Sequence, residues 1–196
     1  MSKLYVNEIA PKTSGGVITG ASNVIEMIPM LCDGETYTGI SGTYSTTNVT
    51  ALQSLTTTYA DVNGSSINYT APNGAVCVMY EFSFQTGWVD VHAIGQFKFF
   101  IDGTEVTNAR QSSGINGNQE LFINLRYIIP IGGTANSATG RQASWSGAKT
   151  LKLQAREHSA SNDINLFTTY YWDGAVSAQF SKPRLTITAI GGAYNG

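Results

Sequence analysis

The alternation of apolar and polar residues in ELFINLRYIIPI, residues 120–131, constrains the fold most strongly. Every odd position from Leu121 to Ile131 is apolar, whereas the even positions include Asn124 and Arg126. Successive side chains of a strand point to opposite faces, so this period of two predicts a strand with one face in a core. Pro130 lacks the N–H that a central ladder needs, and it therefore predicts a sheet edge or the end of the strand.

The same alternation recurs in further segments of the chain. AVCVMYEFSF, residues 75–84, is apolar at every even position, and its other side begins with Cys77 and Met79 before it turns polar at Glu81. We therefore expect one end of this strand to be covered on both faces. QFKFFIDGTEV adds a strand that ends in Asp102-Gly103, a pair that favours the positive φ angles of a tight hairpin turn. The pattern continues in TLKLQAREH, INLFTTYYW and RLTITAI.

These segments predict an all-β fold without a convincing helical period. About eight strands between residues 52 and 190, separated by turn signals, are typical of an antiparallel two-sheet sandwich or jelly roll. Residues 32–50, CDGETYTGISGTYSTTNVT, are weakly patterned and indicate a linker or an ill-ordered loop. We therefore predict an extended N-terminal attachment segment and linker at residues 1–50 and the jelly-roll sandwich at residues 51–196.

Composition narrows the classes of partner. Charged residues make up 12% of the chain, about half the usual quarter, and the net charge is −2. The basic residues are scattered without a basic stripe, which argues against nucleic-acid binding. The longest apolar stretches fall short of the roughly 18 residues that a membrane span needs, so no membrane insertion is expected. Low charge also suggests that copies or partners cover part of the surface.

The residues that carry catalysis elsewhere are sparse in this chain. Asp90 and His92 would share a strand face, but no third metal ligand can be named, and a surface pair is the simpler interpretation. No nucleophile elbow, zinc-protease motif or phosphate-binding loop occurs. We predict no enzyme activity, no metal and no cofactor, although two of the 13 acidic residues could still form a glycosidase pair. Cys77 lies in an apolar run, which favours a buried free thiol over a disulfide with Cys32.

Aromatic residues provide the candidate contact surface. Tyr170, Tyr171 and Trp172 stand in a row, so at least one of the two tyrosines must point away from a core. Trp145, in a loop, joins them as a candidate. Either a neighbouring subunit covers these rings, or they form a stacking platform for a sugar or another receptor. Both interpretations require that something contacts this surface.

The opening MSKLYVNEIAPKTSGG raises the question of what so short a strand-like word does. It lacks a signal-peptide layout, because Glu8 lies where an apolar region should run. The word is similar to the openings of bacteriophage tail-fibre and virion-appendage proteins, where such a word leads into a Thr/Ser-Gly break and a β-rich module. The resemblance implies an attachment strand that pairs with other virion proteins or sister chains, with the following residues as its candidates: Leu4, Tyr5, Val6, Asn7 and Ile9.

A second resemblance concerns the sandwich. The stretches YADVNGSSINYTAPNGAVCVMYEFSF, FKFFIDGTEV and SKPRLTITAIGG resemble the jelly roll of the complement C1q and tumour necrosis factor type, over most of residues 55–192. That family has no catalytic residues to carry over. The resemblance implies a homotrimer, and a three-fold axis would bury the second apolar face of the strands.

Together these observations predict a non-enzymatic structural protein of a phage virion: a tail fibre, fibre tip or appendage. It would be made in the host cytoplasm, anchored by its N-terminus, and located on the virion. Loops at residues 110–119 and 132–147 would point outward, as candidates for host attachment. The alternatives are a capsid decoration or knob protein, and a carbohydrate-binding module or depolymerase acting on bacterial surface glycan.

Overall fold

The structure is a computed structural model and describes residues 23–88, 92–116, 120–170 and 178–192. These residues form strands, joined by turns and one 3₁₀ turn at Thr107–Ala109. The strands, in chain order, are β1 (Asn23–Leu31), β2 (Thr36–Thr38), β3 (Thr43–Ser45), β4 (Gln53–Ser54), β5 (Ala60–Asp61), β6 (Ile67–Tyr69), β7 (Ala75–Trp88), β8 (His92–Ile101), β9 (Thr104–Glu105), β10 (Gln111–Asn116), β11 (Leu121–Pro130), β12 (Lys149–Glu157), β13 (Ile164–Leu166), β14 (Thr168–Tyr170), β15 (Ala178–Phe180) and β16 (Arg184–Gly191).

Two six-stranded sheets make up most of the described chain. In sheet I the order is β1-β16-β7-β13-β4, and β11 pairs with the other edge of β7. In sheet II the order is β10-β8-β12-β5, with β6 on β12 and β9 on β8. The pairings between these strands are antiparallel, so the predicted all-β antiparallel sandwich is confirmed. The finer jelly-roll connectivity stays a prediction.

The core lies between the two sheets and follows the alternation of the sequence. The inward residues of β7 and β11 in sheet I meet those of β8 and β12 in sheet II. At the centre, the rings of Phe99 and Tyr127 are stacked, with centroids 4.5 Å apart and planes within 5°. Tyr80 packs against Phe99 at 5.0 Å, and its hydroxyl donates to the carbonyl of Ser65 at 2.6 Å. This aromatic cluster joins the sheets.

Strand β1 corrects the predicted domain boundary. It pairs with β16 from Asn23 to Leu31, and its residues Ile28 and Met30 are buried in the core. Residues 32–50 also contribute to the core through Cys32 and Val49. The described residues 23–50 therefore belong to the sandwich, and the prediction of a linker there is wrong. A bulge between Val24 and Glu26 and the inward carboxylate of Glu26 interrupt the alternation of β1. The sequence pattern therefore did not indicate a strand here.

Turns and strand ends follow the local chemistry in most places. Asp102 and Gly103 have φ angles of 48° and 78°, as a tight hairpin turn requires, and they join β8 to β9. Pro130 is the last residue of β11, and among the described strands β11 pairs only with β7, so it is an edge strand as predicted. The predicted loop at 110–119 is wrong for residues 111–116, which form β10 because they pair with β8. Cross-strand pairing here overrides a turn-like composition.

Candidate functional site

The outer face of sheet I carries exposed apolar side chains at one end. Two neighbouring rows cross β1, β16, β7 and β11 in that order: Met27–Thr188–Met79–Ile128 and Val24–Ile190–Cys77–Pro130. We call these residues the apolar rows. Val24, Met27 and Ile128 are 59%, 61% and 57% exposed, whereas Thr188 between them is buried. The sandwich therefore presents exposed apolar side chains at both edges of this face, away from its own core, and exposed apolar surface is a common feature of interaction sites.

The other end of the same face is polar. Glu81 on β7 accepts hydrogen bonds from the Arg126 Nε at 2.7 Å and from the Asn124 Nδ2 at 3.1 Å, both on β11. Arg126 and Glu81 also form an ion pair. The face is thus divided into an apolar end and a charged end. The change along β7 from Cys77 and Met79 to Glu81 is the change that its sequence predicts.

The outer face of β7 at Cys77 and Met79 is partly covered by neighbouring strands of the same chain. Cys77 is only 5% exposed although its side chain is on the outer face, because neighbouring strands flank it on both sides. Burial raises the pKa of its thiol, and both Cys77 and Cys32 are free, as expected. Met79 is half-buried. The exposed part of the apolar rows, by contrast, lies on the edge strands β1 and β11, where the described chain supplies no further strand.

A groove runs along the open side of the sandwich, between the edge strands β11 and β10. One part, of about 340 Å³, is lined by apolar residues and by five side chains with hydrogen-bonding groups: Asn108, Gln111, Arg126, Tyr127 and Thr139. A second part, of about 260 Å³, continues along the same two strands, and Gln111 lines both. None of the described lining residues of either part is Asp or Glu. The groove can bind polar groups, and its described lining offers no pair of carboxylates of the kind that cleaves glycosides.

The loop at residues 132–147 closes one end of this groove. Its two arms are joined by the bond from the Gly132 N–H to the Gln142 carbonyl and by the bond from the Gln142 N–H to the Pro130 carbonyl, at 2.8 and 2.9 Å. The Asn108 N–H donates to the Ala138 carbonyl at 2.9 Å and ties the loop to the 3₁₀ turn. The loop is therefore an exposed surface segment as predicted, but one that is fixed to the sandwich.

Trp145 packs within its own chain. Its indole N–H donates to the Tyr69 carbonyl at 3.2 Å, and its ring meets the Tyr69 ring edge-on at 6.0 Å. Tyr69 in turn packs against Tyr44 at 5.3 Å. The ring of Trp145 is half-buried by these contacts. Its predicted role in a subunit interface or receptor contact stays a prediction, and it would have to use the remaining exposed part of the ring.

A buried carboxylate, that of Glu26, accepts a hydrogen bond from the Tyr69 hydroxyl. Glu26 is 5% exposed and accepts hydrogen bonds from the Ser41 N–H at 2.9 Å, the Ser41 hydroxyl at 2.6 Å and the Tyr69 hydroxyl at 2.8 Å. Burial by itself would raise its pKa, but these hydrogen bonds outweigh burial and lower the pKa of Glu26 below its ordinary value of 4.5. Glu26 thus ties β1 to the turn at residues 39–42 and to sheet II. A lone acid at an inward position of the run VIEMIPM is the sequence signal that could have identified it.

We expect Glu26→Gln to lower the free energy of unfolding at neutral pH by about 1.5–3 kcal/mol, because an amide replaces a charged acceptor of three hydrogen bonds. A lowered carboxyl pKa stabilises the fold above the unfolded-state pKa and loses that stabilisation as the pH falls toward the folded-state value. Urea titrations of the wild type should therefore show stability falling as the pH drops below about 5, and the variant should show a smaller fall. Glu35→Gln, at an exposed carboxylate, is the control, and equal pH profiles for all three proteins would contradict this assignment.

Several predicted site residues cannot be placed. The attachment residues Leu4, Tyr5, Val6, Asn7 and Ile9 lie outside the described residues, as do Tyr171 and Trp172. Tyr170 ends β14, which pairs with β15, but only its backbone is described. Of the pair Asp90 and His92, the first lies outside the described residues and the second begins β8. These predictions stay untested.

The described residues contain no group of three or more His, Cys, Asp or Glu side chains that could hold a metal ion. Within those same ranges, no helix has the length and apolar character to span a membrane. Glu157 is buried and His158 is exposed, so the two neighbours face apart as their positions on a strand end imply.

The fold and its surfaces define an all-β antiparallel sandwich with an apolar outer end on one sheet and an open groove beside it. No protein-family model and no curated protein sequence matches the chain. What the molecule does is therefore inferred from its own geometry.

Proposed function

We propose that this chain is a non-enzymatic structural protein of a phage virion: a tail fibre, fibre tip or appendage. It acts as a homotrimer whose subunits contact one another through the apolar rows on the outer face of sheet I. The N-terminal segment at residues 4–9 anchors the protein to other virion proteins. The loop at residues 132–147 and the groove beside it face outward, toward a host surface.

The exposure of the apolar rows carries this proposal. Val24, Met27 and Ile128 are each more than half exposed, and they lie on one continuous face. Exposing apolar surface to water costs about 25 cal/mol of free energy per Å². Association with sister chains removes the surface of the apolar rows from water. A closed ring of identical subunits buries one such face in every copy. The low charge of the whole chain fits a protein with a large covered surface.

The groove supports binding rather than catalysis as the role of the outward surface. Its polar lining groups are amide, hydroxyl and guanidinium groups, and its described lining contains no carboxylate pair. Such groups hydrogen-bond sugars without cleaving them. A second candidate, a carbohydrate-binding module for bacterial surface glycan, is favoured by this lining. Incubation with host polysaccharide separates the two activities, because release of new reducing ends would indicate a depolymerase.

The virion assignment is tested on particles. Mass spectrometry of purified phage whose genome encodes this chain should detect the protein, and immunogold electron microscopy should label the tail. Label distributed over the head would instead indicate the capsid decoration or knob variant of the proposal. Absence of the protein from purified particles, with the protein present in the infected cell, would contradict the virion assignment.

A further inference from the structure

Strand β11 has one hydrogen-bonding edge that the described chain does not use. The Ile131 N–H donates to the Val76 carbonyl at 2.8 Å, which fixes the phase of the ladder with β7. In an antiparallel ladder every second residue faces the partner, so the odd residues of β11 bond to β7. The N–H and C=O groups of the intervening residues point the other way: Phe122, Asn124, Arg126 and Ile128. Within the described ranges none of these outward groups has a backbone partner.

An edge of this kind pairs readily with another extended chain. The free edge of β11 ends at Pro130 on its C-terminal side. Pro130 has no N–H, and its carbonyl already accepts a hydrogen bond from the Gln142 N–H at 2.9 Å. The remaining stretch has an exposed apolar side chain at each end, Phe122 at 55% and Ile128 at 57%. Between them Asn124 and Arg126 are drawn back toward β7 by Glu81. The edge is thus flanked by apolar groups and unobstructed in its middle.

We propose that this edge pairs with the same edge of a second copy, antiparallel and about a two-fold axis at Leu125. In this register Phe122 lies opposite Ile128 of the partner subunit, and Asn124 lies opposite Arg126 of the partner subunit. Each such pair exchanges two backbone hydrogen bonds, because all four residues have outward N–H and C=O groups. The two sheets I become one continuous sheet across the axis.

The side chains select this register over its neighbours. A shift of the axis to Arg126 would place the two Arg126 side chains directly opposite each other, and like charges there are unfavourable. The same shift would place Phe122 opposite the Pro130 position, which has no N–H to donate. A shift of the axis to Asn124 would place Ile128 opposite the position of Glu120 and leave this exposed apolar side chain without an apolar partner. Only the axis at Leu125 pairs the two exposed apolar side chains with each other.

This contact goes beyond the proposed function and uses the backbone edge of sheet I, with Ile128 of the apolar rows bordering both contacts. The three-fold contact uses the face and depends on Met27 and Val24, both on the far edge strand β1. The two-fold contact uses the backbone of β11 and would join one trimer to another. The added strand would lie along the groove between β11 and β10, so pairing would also narrow that groove.

Paired cysteines test the register. In the double variant Phe122→Cys/Ile128→Cys, the new thiols of two copies lie on Cα atoms about 5.5 Å apart, within the reach of a disulfide. Mild oxidation should give a covalent dimer on a non-reducing gel, with mass spectrometry joining positions 122 and 128. Within one chain these positions are roughly 20 Å apart and cannot be joined. Phe122→Cys alone is the matched control and should give no dimer, because its two copies are equally far apart.

A covalent dimer from the single variant, or none from the double variant at concentrations where the wild type associates, would overturn the proposal. A trimer by light scattering without the 122–128 link would overturn the edge pairing while leaving the proposed function intact. A linked dimer from a protein that never forms a trimer would support the edge pairing and contradict the proposed trimer.

Proline at an outward position gives a second, independent test. Asn124→Pro removes an N–H that points away from β7, so it blocks edge pairing and leaves the ladder with β7 in place. Asn124→Ala removes the same side-chain contact with Glu81 and keeps the N–H. We expect the proline variant to weaken dimerisation at least about tenfold relative to the alanine variant. Equal dimerisation of two folded variants would overturn the proposal. Protection of these amides from hydrogen exchange in a monomer would also overturn it, because the edge would then be covered within one chain.

Discussion

Substitution of Met27 by glutamate is expected to break up the proposed trimer. Met27 is 61% exposed in the single chain and lies on the edge strand β1 at one end of its apolar row, beside Thr188 on β16. Burying an unpaired carboxylate against the same position of sister chains costs at least about 3 kcal/mol, which weakens association roughly a hundredfold. Size-exclusion chromatography with light scattering would measure the change in mass.

The matched control is Met27→Leu, which keeps an apolar side chain of similar volume. It should assemble as the wild type does, with a loss below about 1.5 kcal/mol. A second control, Leu52→Glu, places the same charge on an exposed apolar residue outside the apolar rows. If Met27→Glu assembles as well as these two proteins, the apolar rows are not the subunit contact.

The largest loss of stability is expected from Phe99→Ala. Phe99 is 1% exposed, stacks on Tyr127 at 4.5 Å and packs against Tyr80 at 5.0 Å. Removing the ring leaves a cavity between the two sheets and should lower the free energy of unfolding by about 3–5 kcal/mol. Urea titration monitored by fluorescence would report the difference.

The neighbouring residue provides the control for this core substitution. Phe100 lies next to Phe99 on β8 but faces the outer side of sheet II, where it is half-buried. Phe100→Ala removes the same group without opening the core, so its effect should be clearly smaller. Equal losses from the two variants would contradict the assignment of Phe99 to the centre of the core.

Strand identity could be predicted from the sequence wherever alternation was strong. The inward residues of β11, including Ile123, Leu125 and Ile129, are buried as their spacing predicts. The turn at Asp102-Gly103 was equally predictable, because few residue pairs favour positive φ at both positions. In both cases the structure is decided by residues that are adjacent in the sequence, so the sequence alone predicts it.

Strand β1 and residues 32–50 could not be predicted in the same way. Strand β1 places Glu26 in the interior, where burial is tolerated only because Ser41 and Tyr69 donate hydrogen bonds to it. Those donors come from distant parts of the chain, so the local pattern shows a misplaced charge rather than a strand. Residues 32–50 contact the core at only a few widely spaced positions, too few to produce a period.

The candidate site depends on register more than on any motif. The sequence indicated that the strand carrying Cys77 and Met79 has an apolar second face. It did not indicate that Met27 and Ile128, 101 positions apart in the numbering, lie in the same row as Met79. Alternation assigns a residue to a face, whereas strand order and register decide which residues on that face are neighbours.

The mass of the wild-type protein in solution tests the central claim most directly, since the apolar rows are proposed to be covered by sister chains. Light scattering over a range of micromolar concentrations should give the mass of three chains or a multiple of three. A constant mass of 20.9 kDa, that of one chain, would contradict the account.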